Sequence, residues 1–585
     1  MILGIDLGTT NSLASIVRNG KIEFVDFGGS KLLPSVVAIN GEGNLLVGQT
    51  AKNQYYLDPE NSVKSIKRHM GSDVQTLLNG KEYLPEEIAG MILRYIKETA
   101  EEQFGMKLSN AVITVPAYFS DDQRKATSIA GEIAGFKVER IINEPTAASL
   151  SYNYNEEKEI RAIVYDFGGG TFDVSVVNIS KNLVEVVSSH GDNHLGGDDI
   201  DVEFSQYLAD LIAKKYKTTL VPKGQTAHQL LQIAEKSKIE LSDHPYYTIV
   251  ENLYIGENVP PLSVELEICR EECEEVLQPF IEKTMKLVHI ALSDANLNAN
   301  DIDQILLVGG TSKIPLITRE FEKIFDIAPS ESINPDQSVC FGAAIQGAII
   351  EDDNIDSILV DVTPYTFGTR AVITGDIGFI TDDDVFIPVI KRNSPLPVSK
   401  SEVFYKLHPE QDAIEVEIFQ GDSKIASENK FIGSFNVKDL SKKNDSEEIL
   451  LTMNLDLNGI LTVIATEKNT GKRKQIIINN SFNHGDVAKS VNKLAHIFAD
   501  NTDELQSVVE PNTNDTLGED KESNKIYIAK TMIDKAESKM ELADSDDAKE
   551  MKEIITALKK AILSRSTAEI ESLTDDLTDI LFYID

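Results

Sequence analysis

The chain has 585 residues, 41% hydrophobic and 26% charged, a balance usual for folded proteins at a length that fits roughly three to five domains. Its 56 Lys and Arg stand against 95 Asp and Glu, and the resulting charge of -39 repels phosphate-rich surfaces, which excludes a general nucleic-acid or anionic-membrane binder. No stretch reaches the ~18 apolar residues of a membrane span, and M-I-L-G-I-D carries no basic segment ahead of a long apolar run, so the expected setting is the cytoplasm.

Residues 1–350 alternate strand and helix patterns, the mark of an α/β body. The chain opens with an apolar strand ending in Asp6, a tight loop, L-G-T-T-N-S, and a second apolar strand. A-V-I-T-V at 111–115 reads as a buried strand ending at Pro116, and Ser120 is a good N-cap for the helix that follows. At 163–177, I-V-Y-D-F-G-G-G-T-F-D-V-S-V-V repeats the layout of the opening. Cys269 and Cys273 are predicted to share one helical face; no His cluster accompanies them, so they read as reduced thiols rather than a zinc site. A strand at 305–310 leads into a helix predicted from about Pro315.

The pattern then changes. An acidic stretch at 351–357 precedes a short apolar run, 358–362, that fits a docking linker better than a core strand. Residues 363–482 read as strands and turns, with Asn458-Gly459 predicted as a hairpin turn in which both positions take φ > 0; the expected unit is a β-sandwich. Residues 483–585 read as a small helical bundle. Ile526, Ala529, Ile533, Ala536 and Met540 form one apolar face, Ile570, Leu573, Leu577 and Ile580 another, with a helix predicted around 551–563 and a loop at 505–524.

The doubled hairpin carries the chemistry. Glycines allow a backbone to approach a ligand closely, successive N–H groups can form an anion-binding nest, and Thr9, Thr10 and Thr171 add hydroxyl donors. An acid beside such a nest needs a cation between, so Asp6 and Asp166 imply Mg²⁺, held through its waters. Two such hairpins face to face would clamp a polyphosphate. A single hairpin is equally well read as a turn, but two matched copies and a third glycine turn at V-G-G-T-S-K-I-P (308–315) favour the clamp. No G-x-x-x-x-G-K-[ST] P-loop occurs.

With I-D-L-G-T-T-N-S (5–12), V-P-A-Y-F-S-D-D-Q-R (115–124), I-N-E-P-T-A-A (142–148), Y-D-F-G-G-G-T-F-D (165–173), G-D-N-H-L-G-G (191–197), A-E-K-S-K-I-E-L-S (234–242) and N-P-D (334–336), the chain resembles the Hsp70 chaperone family over essentially its whole length. K-R-H-M-G-S (67–72) and H-P-E-Q-D (408–412) resemble the divergent bacterial HscC-like branch. The resemblance implies a multidomain chain: an actin-like α/β ATPase domain (1–350), a linker (351–362), a β-sandwich peptide-binding domain (363–482) and an α-helical lid (483–585).

It also implies residue roles. Lys67 would reach the γ-phosphate and the attacking water; Glu144 and Asp173 would organise Mg²⁺ waters or that water; Asp166 would face the metal and Thr171 lie near the γ-phosphate. Gly8, Thr9, Thr10, Asn11, Gly168, Gly169, Gly170, Gly196 and Gly197 would cradle ATP or ADP phosphates, and Glu235, Lys238, Ser242, Gly309, Gly310, Lys313 and Asp336 the adenosine end. Lys313 departs from the family's usual Arg, whose planar guanidinium stacks on adenine, so weaker nucleotide retention is expected. Pro116 and Arg124 match a relay between catalytic site and domain interface; Arg140, Asn143, Thr146 and Asp361 match positions where a J-domain co-chaperone acts.

In the peptide domain Phe404, Ile414 and Val416 align with pocket-lining positions and Val372 and Leu407 with an arch over the peptide, although their alternation alone reads as sandwich core. The stretch 374–386 is expected as a longer acidic loop, a rim favouring clients with basic flanks. The implied partners are client polypeptides, a J-domain co-chaperone and a nucleotide-exchange factor, with no nucleic acid and no membrane. A small-molecule kinase or a filament-forming relative of the same superfold fits less well, because a β-domain and helices follow residue 363; the remaining alternative is a catalytically weak exchange factor or holdase.

Overall fold

The computed structural model describes residues 1–153, 159–180, 183–256, 259–330, 334–351, 358–374, 380–407, 411–438, 440, 448–467, 473–477, 484–494 and 545–563, with single positions between 529 and 577. Contacts divide it into two compact units, 1–500 and 501–585.

Two sheets form the α/β body. The first runs Lys137–Asn143, Asn110–Val115, Ile2–Asp6, Asn11–Arg18, Lys21–Phe24; the second runs Gln304–Val308, Ile160–Phe167, Phe172–Ser180, Leu183–Asp192, Ile358–Val360. Each contains one of the doubled hairpins: Ile2–Asp6 pairs antiparallel with Asn11–Arg18 in the register Asp6↔Leu13, and Ile160–Phe167 with Phe172–Ser180 in the register Asp166↔Asp173. In each sheet the first hairpin strand also pairs parallel with a neighbour, so Asp6 and Asp166 sit at the carboxyl ends of parallel strands, where ligands bind in open α/β sheets.

Helices Glu144–Asn153 and Ser338–Ile350 pack together on these sheets. Their approach is closer than a side chain allows: a Cβ on Gly4 would stand 2.2 Å from the Ala344 nitrogen, and one on Gly342 1.7 Å from the Ala147 carbonyl oxygen. The apolar layer between the sheets includes Val112, Ala147, Val164, Leu306 and Ala343, and it also takes in Leu359 and Val362.

The run 358–362 therefore docks, but it also completes the second sheet: Ile358–Val360 pairs parallel with Leu183, Val184 and Glu185. Burying Leu359 at 3% exposure contributes about 1.5–3 kcal/mol, enough to hold a short strand in place.

Beyond the linker, two four-stranded antiparallel sheets make a sandwich: Ile380–Ile390, Phe367–Thr374, Ala413–Gln420, Lys430–Lys438, and Val398–Tyr405, Glu448–Leu455, Leu461–Glu467, Arg473–Ile477. Strict in–out alternation along Glu448–Leu455 and Leu461–Glu467 supplies one wall of its core. Two expectations change here. Gly459 has φ +74° while Asn458 does not take positive φ, because the turn is a five-residue loop organised by Asp456, whose carboxylate accepts from the Asn458 and Ile460 amides. Much of the stretch expected as a loop, 380–386, is strand paired to Phe367–Thr374, and Asp384 is held by Arg370 (3.2 Å) and Ser427; 375–379 lie outside the described residues.

Helix His484–Leu494 belongs to the first unit, where Lys493 bonds Glu87 at 2.6 Å. In the second unit helix Ser545–Leu563 starts six positions earlier than expected, and Ala529, Ile533, Ala536, Ile570 and Leu577 pack with its Met551, Ile555 and Leu558. Ile526, Met540, Ile580 and the loop 505–524 lie outside the described residues, as do 408–410. Among the described residues no helix is long and apolar enough to cross a membrane.

Candidate active site

The hairpin tips face one another across a cleft of about 400 Å³. A Cβ on Gly169 would lie 1.9 Å from the Thr10 hydroxyl oxygen and one on Gly170 2.5 Å from the Thr9 methyl, so only glycine lets the second tip meet the first. The Gly168 amide donates to the Thr171 carbonyl at 3.1 Å, closing a four-residue tip. Helix Gly197–Tyr216 aims its N-terminus at the same place, with the Gly197 and Asp198 amides donating to the carbonyls of Gly168 and Gly169 at 3.0 and 2.7 Å.

Asp6, Gly8, Thr9, Thr10, Asn11, Lys67, Glu144, Asp166, Gly168, Gly169, Thr171, Gly197, Glu235, Lys238, Ser242, Gly309, Gly310, Lys313 and Asp336 all line the cleft. Gly170 and Gly196 support its wall from behind, against Thr9 and the Gly169 backbone. Asp173 stands behind Asp166 across the hairpin and accepts the Tyr118 amide at 3.1 Å.

Lys67 lies on the short 3-10 turn Ile66–His69, whose entry residue Ser65 is left-handed at φ +56°. Its ammonium is 4% exposed, paired closely with Glu144 and 5.7 Å from the centre of the Phe119 ring. Around this buried cation stand Asp6, Asp166 and Asp173. Burial first and Glu144 second push Asp6 and Asp173 each up to about 7, and burial with the same neighbours holds Asp166 well above the carboxylate range. Thr114 donates to Asp6 at 3.3 Å. The cleft thus concentrates carboxylates that one lysine does not balance.

Several contributors were not singled out from the sequence. Ser65 donates to Asp198 at 2.6 Å, Arg68 pairs with Asp199 at 2.9 Å, Lys238 with Asp201 at 2.7 Å, and Lys52 reaches Glu235 at 3.2 Å. The acidic D-D-I-D directly after G-D-N-H-L-G-G was the available signal for the first three. Lys313 pairs with Asp336 at 2.5 Å while remaining 48% exposed, which keeps its ammonium at the rim.

A second cluster joins the α/β body to the sandwich. Arg124 donates to the carbonyls of Ala117 (3.0 Å), Phe119 (3.2 Å) and Asn458 (3.4 Å) and to Asn143 Oδ1 (2.6 Å). Asn143 and Thr146 in turn donate to Asp361 at 2.9 and 3.1 Å. Asn143 immediately precedes Glu144, so one residue separates the linker carboxylate from the partner of Lys67. Pro116 is buried here too, and Arg140, Asn143, Thr146 and Asp361 are all under 8% exposed, members of an internal network rather than an open face.

Of the positions aligned with a peptide pocket, Val416 lies in the sandwich core and Phe404 and Ile414 pack half-buried against it. Val372 is half-buried on Phe367–Thr374, and Leu407 is 41% exposed beyond Val398–Tyr405.

The family model described as Hsp70 protein matches residues 2–584. The chain is 40% identical over 565 residues to the chaperone protein DnaK of Mycoplasmopsis agalactiae, covering 95% of this chain and 91% of that one. It is 42% identical over 484 residues to the chaperone protein DnaK of Mycoplasmopsis pulmonis, covering 82% and 79%.

Proposed function

The chain belongs to the Hsp70 family and is an ATP-hydrolysing chaperone, and from that premise we propose that the two facing hairpins grip the ATP phosphates while the Asn143–Asp361 bond couples hydrolysis to peptide capture. The observation that carries this is the single chain of contacts from Lys67 through Glu144 and Asn143 to the linker. In this reading Gly8, Thr9, Thr10, Asn11, Gly168 and Gly169 hold the phosphates with Gly170 backing them, Thr171 lies beside the γ-phosphate, and Glu235, Lys238, Ser242, Gly310 and Lys313 hold adenosine. Water attacks the γ-phosphorus and the β–γ bridging oxygen leaves with ADP; Lys67 stabilises the charge spreading over the transferred group, and Glu144 and Asp173 orient the water.

Mg²⁺ fits this site. Asp6, Glu144, Asp166 and Asp173 crowd one cleft around a single buried lysine, and an ion that keeps several of its waters would sit between Asp6, Asp166 and the phosphates. When bound it neutralises phosphate charge. Carboxylates raised from the ordinary 3.8 to about 7 lend stability that is fully present below 3.8 and lost as pH rises through about 7. A cation replaces those protons. The rise in melting temperature produced by Mg²⁺ with ADP is therefore larger at pH 8 than at pH 6, and an equal rise at both would remove the metal from Asp6 and Asp166.

Residues 363–482 act as the peptide-binding domain and 483–585 as its lid, with 351–362 as the linker whose docking ATP favours. A J-domain co-chaperone acts on the network around Asp361 indirectly, from the surface outside these buried side chains, and an exchange factor assists ADP release in the cytoplasm. The branch resemblance at 67–72 and 408–412 makes this an HscC-like variant, in which Lys313, tethered to Asp336, leaves adenine without a stacking plane. Lys313→Arg then slows ADP release several-fold in a fluorescent-nucleotide chase; unchanged release removes that idea. The reading as a whole is tested by single-turnover ATPase measurements with and without a J-domain protein, together with a peptide array. Stimulation by neither would leave a holdase or exchange factor.

A further inference from the structure

His190 stands where the sandwich meets the α/β body. It lies near the end of strand Leu183–Asp192, is 8% exposed, and stacks on Tyr118 with ring centres 5.6 Å apart. From the sandwich side Arg392 approaches its Nε2 at 3.3 Å. Arg392 also donates to Asp294 at 2.9 Å and to Asp422 at 3.4 Å. The neighbouring Asn393 donates to Asp294 at 3.3 Å and accepts the Ser189 amide at 3.3 Å. Asp294, at the end of helix Arg270–Asp294, thus receives both cross-junction donors, and it lies only 3.5 Å from His190 Nε2.

We propose that His190 is a proton-operated release for this junction, and that acidification loosens the sandwich and linker from the ATPase body. With Arg392 donating, Nε2 must offer its lone pair, so the docked state needs neutral imidazole. A proton on Nε2 removes that acceptor, sets two cations 3.3 Å apart, and lets His190 claim Asp294 from within the body. A contact across the junction is exchanged for one that does not cross it.

The groups facing His190 agree on the direction. Burial first and Arg392 second depress its pKa below the ordinary 6.5, while Asp294 and Asp422 offset part of this; Tyr118 faces it uncharged, and Asp192 on its own strand is committed to Lys283 at 2.5 Å. Separation removes Arg392 and admits water, so the undocked state binds a proton that the docked state refuses. Docking is then fully favoured above the undocked pKa and lost as pH falls toward the depressed docked value. Asp121, Asp361 and Asp456, buried at the same junction with raised pKa values, act in the opposite direction, so the histidine's share must be read against a variant that keeps them.

The test uses the full chain with ATP, carrying a donor–acceptor dye pair on Asp210→Cys and Lys438→Cys, both exposed positions. Docked and undocked populations are counted at pH 7.5 and 5.5 in wild type, His190→Gln and His190→Lys. The wild-type docked-to-undocked ratio, divided by that of His190→Gln, is expected to fall roughly threefold or more across this range. His190→Lys, cationic at pH 7.5 wherever water reaches it in the undocked state, is expected to dock poorly at pH 7.5 while binding ATP normally, which separates undocking from misfolding. A constant ratio, or docking by His190→Lys equal to wild type, overturns the proposal. The inference rests on the reading that this junction opens and closes in the working cycle; a wild type that stays docked with ADP as well as ATP fails that reading and this inference with it, whereas normal cycling with a constant ratio fails the inference alone.

Discussion

Lys67→Ala is expected to bind ATP and to hydrolyse it about 10²–10³ times more slowly in a single turnover. The reason is that Lys67 is the cation buried among Asp6, Glu144, Asp166 and Asp173. It lowers the pKa of Asp6, Asp166 and Asp173, so its loss drives all three toward the protonated form and leaves Glu144 without its partner. The phosphate nest is built from backbone amides and hydroxyls that do not depend on it, which is why binding persists while the step that spreads charge over the γ-phosphoryl group suffers. Lys67→Arg does not rescue, because a planar fork cannot occupy a pocket already filled by the Phe119 ring and Glu144. Hydrolysis within about threefold of wild type, with phosphate release followed after rapid mixing, would strip Lys67 of this role.

How far sequence alone reaches can be judged at particular residues. The hairpins were legible because their chemistry is local: an acid, a four-residue tip and continuous apolar strands lie close together in sequence. Asp198, Asp199 and Asp201 were less legible because each acts on a partner more than thirty positions away, Ser65, Arg68 and Lys238. The sandwich followed from alternation, yet the extent of Ile380–Ile390 did not, since three consecutive aspartates disguise a strand whose Asp384 is paired with Arg370. Asn458-Gly459 gave the right hairpin and the wrong turn, because Asp456 supplies two hydrogen bonds that a two-residue turn would forgo. His190 gave no signal: nothing in S-S-H-G-D announces Arg392, two hundred residues on.

Arg124→Ala is expected to uncouple the two halves of the cycle. Arg124 is 4% exposed and joins the catalytic body, through Ala117, Phe119 and Asn143, to the sandwich, through Asn458. Its charge also lowers the pKa of the buried Asp361, which burial otherwise raises. Removing one partner of a buried charged network costs about 3–5 kcal/mol, much of it the penalty of the carboxylate left behind. If about 3 kcal/mol of that falls on docking, the docked-to-undocked ratio drops on the order of 100-fold, since each 1.4 kcal/mol is a factor of ten. The nucleotide site lies beyond Asn143 and keeps Lys67 paired with Glu144, so ATP binding and the unstimulated hydrolysis rate stay near wild type. What disappears is communication: peptide no longer accelerates hydrolysis, and ATP no longer speeds release of a fluorescent peptide. Arg124→Lys recovers little, because an ammonium cannot span the three carbonyls and the Asn143 oxygen that the guanidinium reaches at once. A variant that keeps ATP-driven peptide release at the wild-type rate would show that the junction is held elsewhere, and Lys430, which reaches Asp122 at 3.1 Å and Ser120 at 3.2 Å, would be the next residue to remove.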